Sequence, residues 1–131
     1  MFTEDDEKPL THLMVLDFEA NAIEDEKLDL QEIIEFPVVI VDIKERKIVD
    51  IFHRYIKPTV MATLTEFCTK LTGITQETVN KGITLEEALK ELTEFIAKTV
   101  SIRNNIEHPF ETFRAINMWR LGYRNLSKKR S

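Results

Sequence analysis

Apolar and polar residues change their rhythm partway along the chain. Up to about residue 58 the apolar positions come in short runs rich in β-branched residues. The first is "THLMVLDFE", from residue 11 to 19. The second is "EIIEFPVVIVDI", over 32–43, and the third is "KIVDIFHRYIKP", over 47–58. In the third, Ile48, Asp50, Phe52, Arg54 and Ile56 alternate with Val49, Ile51, His53 and Tyr55, the two-residue period of a strand. The polar link "KERK" predicts that the second and third runs pair as a hairpin, and "NAIEDEKLDLQ" reads as a surface loop. Pro37 has no N–H to give a ladder, so it predicts an edge position or a bulge in the second strand.

Helical spacing follows. Thr63 and Glu66 have the spacing of a capping box, opening a helix that stops near Gly73. Thr75 caps a short helix ending near Gly82. Thr84 and Glu87 form a second box before Leu85, Ala88, Leu89, Leu92, Phe95 and Ile96, which share one helical face. "KTVSIRN" reads as a fourth strand, and Pro109 as the first turn of a last helix bearing Phe110, Phe113, Asn117 and Leu121. A three-stranded antiparallel meander, helices, a parallel strand and a helix make an α/β fold. That order is how a ribonuclease-H-like mixed sheet begins, here truncated at its C-terminal side. Residues 1–10 read as an acidic disordered lead-in, 11–121 as one incomplete domain and 122–131 as a basic tail.

Composition adds constraints. With 131 residues, 43% of them hydrophobic and 31% charged, the chain can bury one core of ordinary size. No apolar run nears the roughly 20 residues of a membrane span, and the acidic start is unlike a signal peptide. An intracellular protein, cytoplasmic or nuclear, is expected. The single cysteine, Cys68, excludes an internal disulfide and reads as buried packing. The net charge of −5 conceals an acidic first 50 residues and a basic remainder. "WRLGYRNLSKKRS" holds five cations and no acid, which suits either phosphate contact or a solvated terminus.

Candidate chemistry centres on "VLDFEA", over 15–20. On a strand, Asp17 and Glu19 point the same way, about 7 Å apart. Two neighbouring carboxylates repel unless something positive or aqueous lies near. A divalent metal, an Arg or Lys, or water at a strand end each meets that need. His12, His53 and His108 lack ligand spacing, and His53 reads as a half-exposed sheet residue. Glu35 is open to a pairing role on the sheet.

Four segments together carry a resemblance: "VLDFEA" (15–20), "QEIIEFPVVIV" (31–41), "FHRYIKP" (52–58) and "FCTKLTGITQETV" (67–79). In that order and spacing the chain resembles the DEDDh 3′–5′ exonucleases over about residues 12–99. It is most similar to the eukaryotic exoribonucleases that act on histone mRNA, ribosomal RNA and small interfering RNA. The resemblance implies that Asp17 and Glu19 are catalytic and bind two divalent ions, Mg²⁺ or Mn²⁺. It implies that Phe18 and Ala20 lie against the terminal nucleotide, with Leu71, Thr72 and Ile74 beneath its base and sugar. Gly73 would allow close backbone approach there, besides ending the helix. The implied partner is the 3′ end of single-stranded RNA, with DNA as an alternative. A protein partner or a second copy would complete the truncated fold.

The family pattern also asks for an Asp after the fourth strand, then a His and an Asp on a C-terminal helix. No aspartate follows Asp50 in this chain, and the His–Asp motif has no counterpart. Glu111, behind Phe110 in "HPFE", is the nearest stand-in and the tentative third metal ligand. Weak activity is therefore one expectation. A non-catalytic module that binds RNA or protein is the alternative.

Overall fold

The computed structural model describes residues 9–21, 31–104 and 113–117. Five strands form one sheet: β1 (His12–Leu16), β2 (Glu19–Ala20), β3 (Ile33–Asp42), β4 (Lys47–Tyr55) and β5 (Phe113–Asn117). Three helices, α1 (Glu66–Thr72), α2 (Gln76–Asn80) and α3 (Leu85–Asn104), lie between β4 and β5. β3 is the shared strand. It pairs antiparallel with β1 and β2 at successive positions, and antiparallel with β4 along nearly its whole length. β5 runs parallel to β1, with His12 opposite Phe113 and Leu16 opposite Asn117.

Alternation along β3 sorts its side chains by face. Ile34, Phe36, Val38 and Ile40 are buried, and the residues between them are half-buried. α3 lies across the buried face, bringing Ala88, Leu92 and Ile96 against Leu16, Phe36, Val38, Ile40 and Phe52. Phe52 holds the middle of this core, in ring contact with Phe36 and Phe95. A smaller cluster of Ile34, Leu64, Cys68, Ile74 and Val79 seats α1 and α2. Burying an aliphatic or aromatic side chain contributes about 1.5–3 kcal/mol, so these two clusters dominate the favourable side of folding.

The expected hairpin of β3 and β4 forms, with Arg46 at φ 54 in its turn. β3 is not an edge strand and pairs regularly with β4 through Pro37. The register shifts lie between Ile40 and Val41 and between Glu19 and Ala20, so neither the edge nor the bulge expected at Pro37 is found. Instead the pairing on the β1–β2 side is interrupted opposite it. Among the described residues, no strand pairs with the outer edge of β4. There Ile51 N–H donates to Asp50 Oδ1 at 2.8 Å, and His53 O accepts from Arg54 Nη1 at 2.8 Å. Side chains thus occupy backbone groups that another strand would otherwise use. Farther along, Ile83 exchanges hydrogen bonds with Tyr55 O and Lys57 N. Gly82 fits against this junction because a Cβ there would stand 2.6 Å from Tyr55 O.

Helix signals are met in part. Thr84 and Glu87 make the reciprocal capping box, and Thr75 caps α2. α1 is capped by Thr65, which accepts from Cys68 N, and not by Thr63. Thr63 O instead accepts from the Asn21 amide. On α3, Ala88, Leu92 and Ile96 are buried while Leu85 and Leu89 are exposed, so the apolar stripe is narrower than its sequence. Two expected elements are replaced. "KTVSIRN" is not a strand, since α3 runs through it to Asn104. Phe113 and Asn117 are not on a helix but at the ends of β5, where backbone pairing to β1 overrides local helical spacing.

Truncating Phe52 to alanine is expected to lower unfolding free energy by about 3–5 kcal/mol. Ile51→Ala, on the same strand but 59% exposed, is expected to change it by less than about 0.5 kcal/mol. Urea unfolding of both variants checks the pair.

Candidate active site

Backbone direction on β3 locates the site. Ile43 N donates to Thr11 O, and Ile56 N donates to Ile34 O. The odd-numbered residues of β3 therefore turn their backbone groups toward β1, and the even-numbered ones toward β4. Continuing the β1 register places Pro37 opposite Asp17. Pro37 has no N–H, so the ladder parts at Asp17 and Phe18 and resumes at Glu19, shifted after Glu19. Leu16 and Phe18 both pack into the α3 core, Phe18 edge-on to Phe36 at 4.6 Å. Asp17 and Glu19 then fall on the other sheet face.

Glu19 stands opposite Glu35 on that face, and Glu35 stands opposite Tyr55. Glu35 Oε2 lies 3.5 Å from His53 Nε2, the sheet pairing that its sequence left open. Partial burial raises the pKa of the Asp17 carboxyl above its ordinary value. Such a carboxylate gains most from a cation brought beside it. Hard oxygen donors of this kind suit Mg²⁺ or Mn²⁺. Among the described residues, no three His, Cys, Asp or Glu side chains are grouped closely enough to hold a metal ion.

Helix α1 is fastened to β2 by buried polar contacts. Asn21 is only 1% exposed; its Nδ2 donates to Met61 O and Thr63 O, and its Oδ1 accepts from Thr65 N. Cys68 Sγ donates to Ala20 O at 3.6 Å. Glu32 gathers the loop between them, accepting from the N–H groups of Thr59, Val60 and Met61. Those hydrogen bonds stabilise its charged form and outweigh burial, so its pKa is lowered. α1 ends at Gly73, whose φ of 77 is left-handed, and Ile74 N donates to Thr72 Oγ1.

Of the sequence-predicted residues, Asp17 and Glu19 share one face, and the Ala20–Cys68 and Asn21–Thr65 contacts tie Leu71, Thr72, Gly73 and Ile74 to them through α1. Ala20 and Ile74 are buried, and Leu71 and Thr72 half-buried. Phe18 turns its ring into the core. Glu111 lies outside the described residues. The strand placed before it is part of α3, and β5 begins after it at Phe113. Asn21 and Glu32 were missed, because partners some 30 to 40 residues away leave no local signal.

Comparison with known proteins agrees with this geometry. The exonuclease model of the RNase T family matches residues 14–131.

The chain belongs to this exonuclease family.

Its relatives place it in the DEDDh exoribonuclease branch. ERI1 exoribonuclease 2 of Xenopus laevis is 34% identical over 122 residues, covering 85% of this chain and 18% of its own length. ERI1 exoribonuclease 3 of Homo sapiens is 38% identical over 101 residues, covering 77% of this chain and 30% of its own length. The solved nuclease domain of 3′hExo, a DEDDh family member bound to rAMP, superimposes with a TM-score of 0.69 at 28% identity. That match covers 85% of this chain and 53% of the domain. A 3′-exonuclease solved for its 3′-end-specific recognition of the histone mRNA stem-loop gives 0.67 at 33% identity, covering 70% of this chain and 41% of the other. The fold is the ribonuclease-H-like exonuclease fold, and the chain spans less than a third of the two curated relatives' length.

Two outcomes are expected. Asn21→Ala removes the hydrogen bonds to Thr65 N–H and to the Met61 and Thr63 carbonyls and should cost about 1–3 kcal/mol in urea unfolding. Asp17→Asn should raise the melting temperature in EDTA. The raised folded-state pKa means that the carboxylate weakens the fold above that pKa, and the amide removes the charge.

Proposed function

We propose that this chain removes nucleotides from RNA 3′ ends, using Mg²⁺ or Mn²⁺ held by Asp17 and Glu19. The observation that carries the reading is the pair Asp17 and Glu19, which strand alternation puts on one face of an exonuclease-family sheet at the gap opposite Pro37. In the reaction, a water oxygen bonds to the terminal phosphorus while the bond from phosphorus to the neighbouring 3′ oxygen breaks. A nucleoside monophosphate leaves, and the shortened strand keeps a 3′ hydroxyl. Two divalent ions held there would supply the charge that makes such a water nucleophilic and offsets the leaving oxygen.

The protein's own part is to hold ions and strand in register. Asp17 and Glu19 supply oxygen ligands from a strand fixed by β3. Leu71, Thr72, Gly73 and Ile74 form the seat for the terminal base and sugar, with Ala20 and Phe18 behind it. Gly73 lacks a side chain, so backbone there approaches a ligand closely, and a built Cβ meets nothing within 4 Å. Glu111 is the proposed third acidic ligand. The natural partner is single-stranded RNA, with DNA a weaker candidate. A protein partner or a second copy of the chain supplies any group still needed.

The test is a 5′-labelled single-stranded RNA incubated with Mg²⁺ or Mn²⁺. A 3′-to-5′ ladder is expected, reduced at least 100-fold in Asp17→Asn, in keeping with about 2.7–4 kcal/mol for losing one electrostatic group in a site. Manganese should also raise the wild-type melting temperature and leave that of Asp17→Asn unchanged. Metal-dependent stabilisation and RNA binding without a ladder would instead mark a binding module on an exonuclease fold.

A further inference from the structure

A second feature lies on the same sheet face, two strands from the acids. The pairings Glu19–Glu35–Tyr55 form one row across the sheet, and Pro37–His53 continues the row of Asp17. Two strand spacings put His53 and Tyr55 about 10 Å from Asp17 and Glu19. Beside them opens a cleft of about 410 Å³ between β4 and the turn joining α2 to α3. Arg54, Thr78, Lys81 and Gly82 line it with His53 and Tyr55. Among the described residues no carboxylate is in the lining itself, though Glu35, Glu91 and Glu77 stand against His53, Arg54 and Lys81.

We propose that this cleft holds a nucleotide upstream of the RNA 3′ end, stacking its base on His53 and Tyr55 with Lys81 near its phosphate. This rests on the RNA-hydrolase reading above and extends it to a second contact along the strand. The rings of His53 and Tyr55 meet at 87° with centroids 4.8 Å apart, so they make a corner with a flat wall on each side. A planar base fits such a corner by stacking on one ring and meeting the edge of the other. The corner is preset. Glu35 lies against the His53 imidazole, and Ile83 N–H donates to Tyr55 O while Ile83 O accepts from Lys57 N–H.

The cations set the second part of the site. Arg54 is engaged by Glu91 Oε2 at 2.7 Å and stacks over Phe52, so it shapes the wall. Among the described residues Lys81 is paired with Glu77, one helical turn away, with both side chains about three-quarters exposed. Such a surface pair is weak, and a phosphate can take the ammonium from it. One freed ammonium predicts a shallow salt dependence, a log–log slope near −0.7 for this contact. Stacking carries the affinity, and the site is tolerant of sequence because every base has a face to stack.

The test measures binding of a fluorescent RNA dinucleotide and octanucleotide to the full chain without divalent ions, then to His53→Ala/Lys81→Gln. The Lys81 side chain is 75% exposed and that of His53 40%, and matching thermal melts check that folding is kept. The octanucleotide should bind the wild type more tightly, and the double variant should lose about tenfold of that affinity. Dinucleotide binding should not change. An octanucleotide affinity unaltered by the double variant overturns the cleft while leaving the RNA ladder, and hence the hydrolase reading, intact. Loss of the ladder and of all RNA binding by the wild type overturns both. As a check free of mutation, diethyl pyrocarbonate should modify His53, and the octanucleotide but not the dinucleotide should protect it. Equal reaction with and without octanucleotide counts against the cleft.

Discussion

At the middle of β3, Pro37 offers no N–H to the strand beside it, and the backbone of Asp17 and Phe18 leaves the ladder there. A continuous β1–β2 strand would close that space with regular pairing. The missing donor turns one long strand into two short ones and leaves a step between them. Around the step the faces keep their alternation, so Phe18 still packs on Phe36 while the acids face away. Proline is costly inside a paired strand, yet here the loss of one ladder bond coincides with the position where chemistry is proposed. Local irregularity and site have the same origin.

Strand alternation alone would not hold a helix end near those acids. The buried Asn21 amide does, by meeting two carbonyls and the amide at the start of α1. A buried amide of this kind is stabilising only when its donors and acceptors are met, which makes the junction of β2 with α1 specific rather than merely apolar. Glu32 acts similarly on residues 59–61, where three backbone N–H groups converge on one carboxylate. Together they join the loop, the cap of α1 and the second strand into a single frame. Leu71 to Ile74 inherit their position from that frame.

The sheet therefore has two unlike faces. One is filled by α3 and aromatic rings and supplies most of the burial. The other carries half-buried β-branched residues, then the acids, then the His53–Tyr55 corner. β4 occupies part of its own free edge with Asp50 and Arg54, which reduces pairing with other strands and leaves side chains to meet ligands.

The sequence by itself determined the parts whose cause is local. Period-two alternation marked β3 and β4, the Thr84–Glu87 box marked the start of α3, and "DFEA" with "LTGIT" marked the family and its candidate acids. These signals survive because strand alternation, capping and turn geometry act over a few residues. Tertiary structure decided the rest. Helical spacing around Phe113 yielded to a parallel pairing with β1, about a hundred residues distant, and "KTVSIRN" was drawn into α3. Thr63 lost the cap of α1 to Thr65, whose hydroxyl accepts from Cys68 N, while the Thr63 carbonyl meets the Asn21 amide. His53 met Glu35 only because β3 and β4 adopted one register. Each of these outcomes depends on a partner far along the chain, and a partner at that distance leaves no periodic mark in the sequence near the residue it positions.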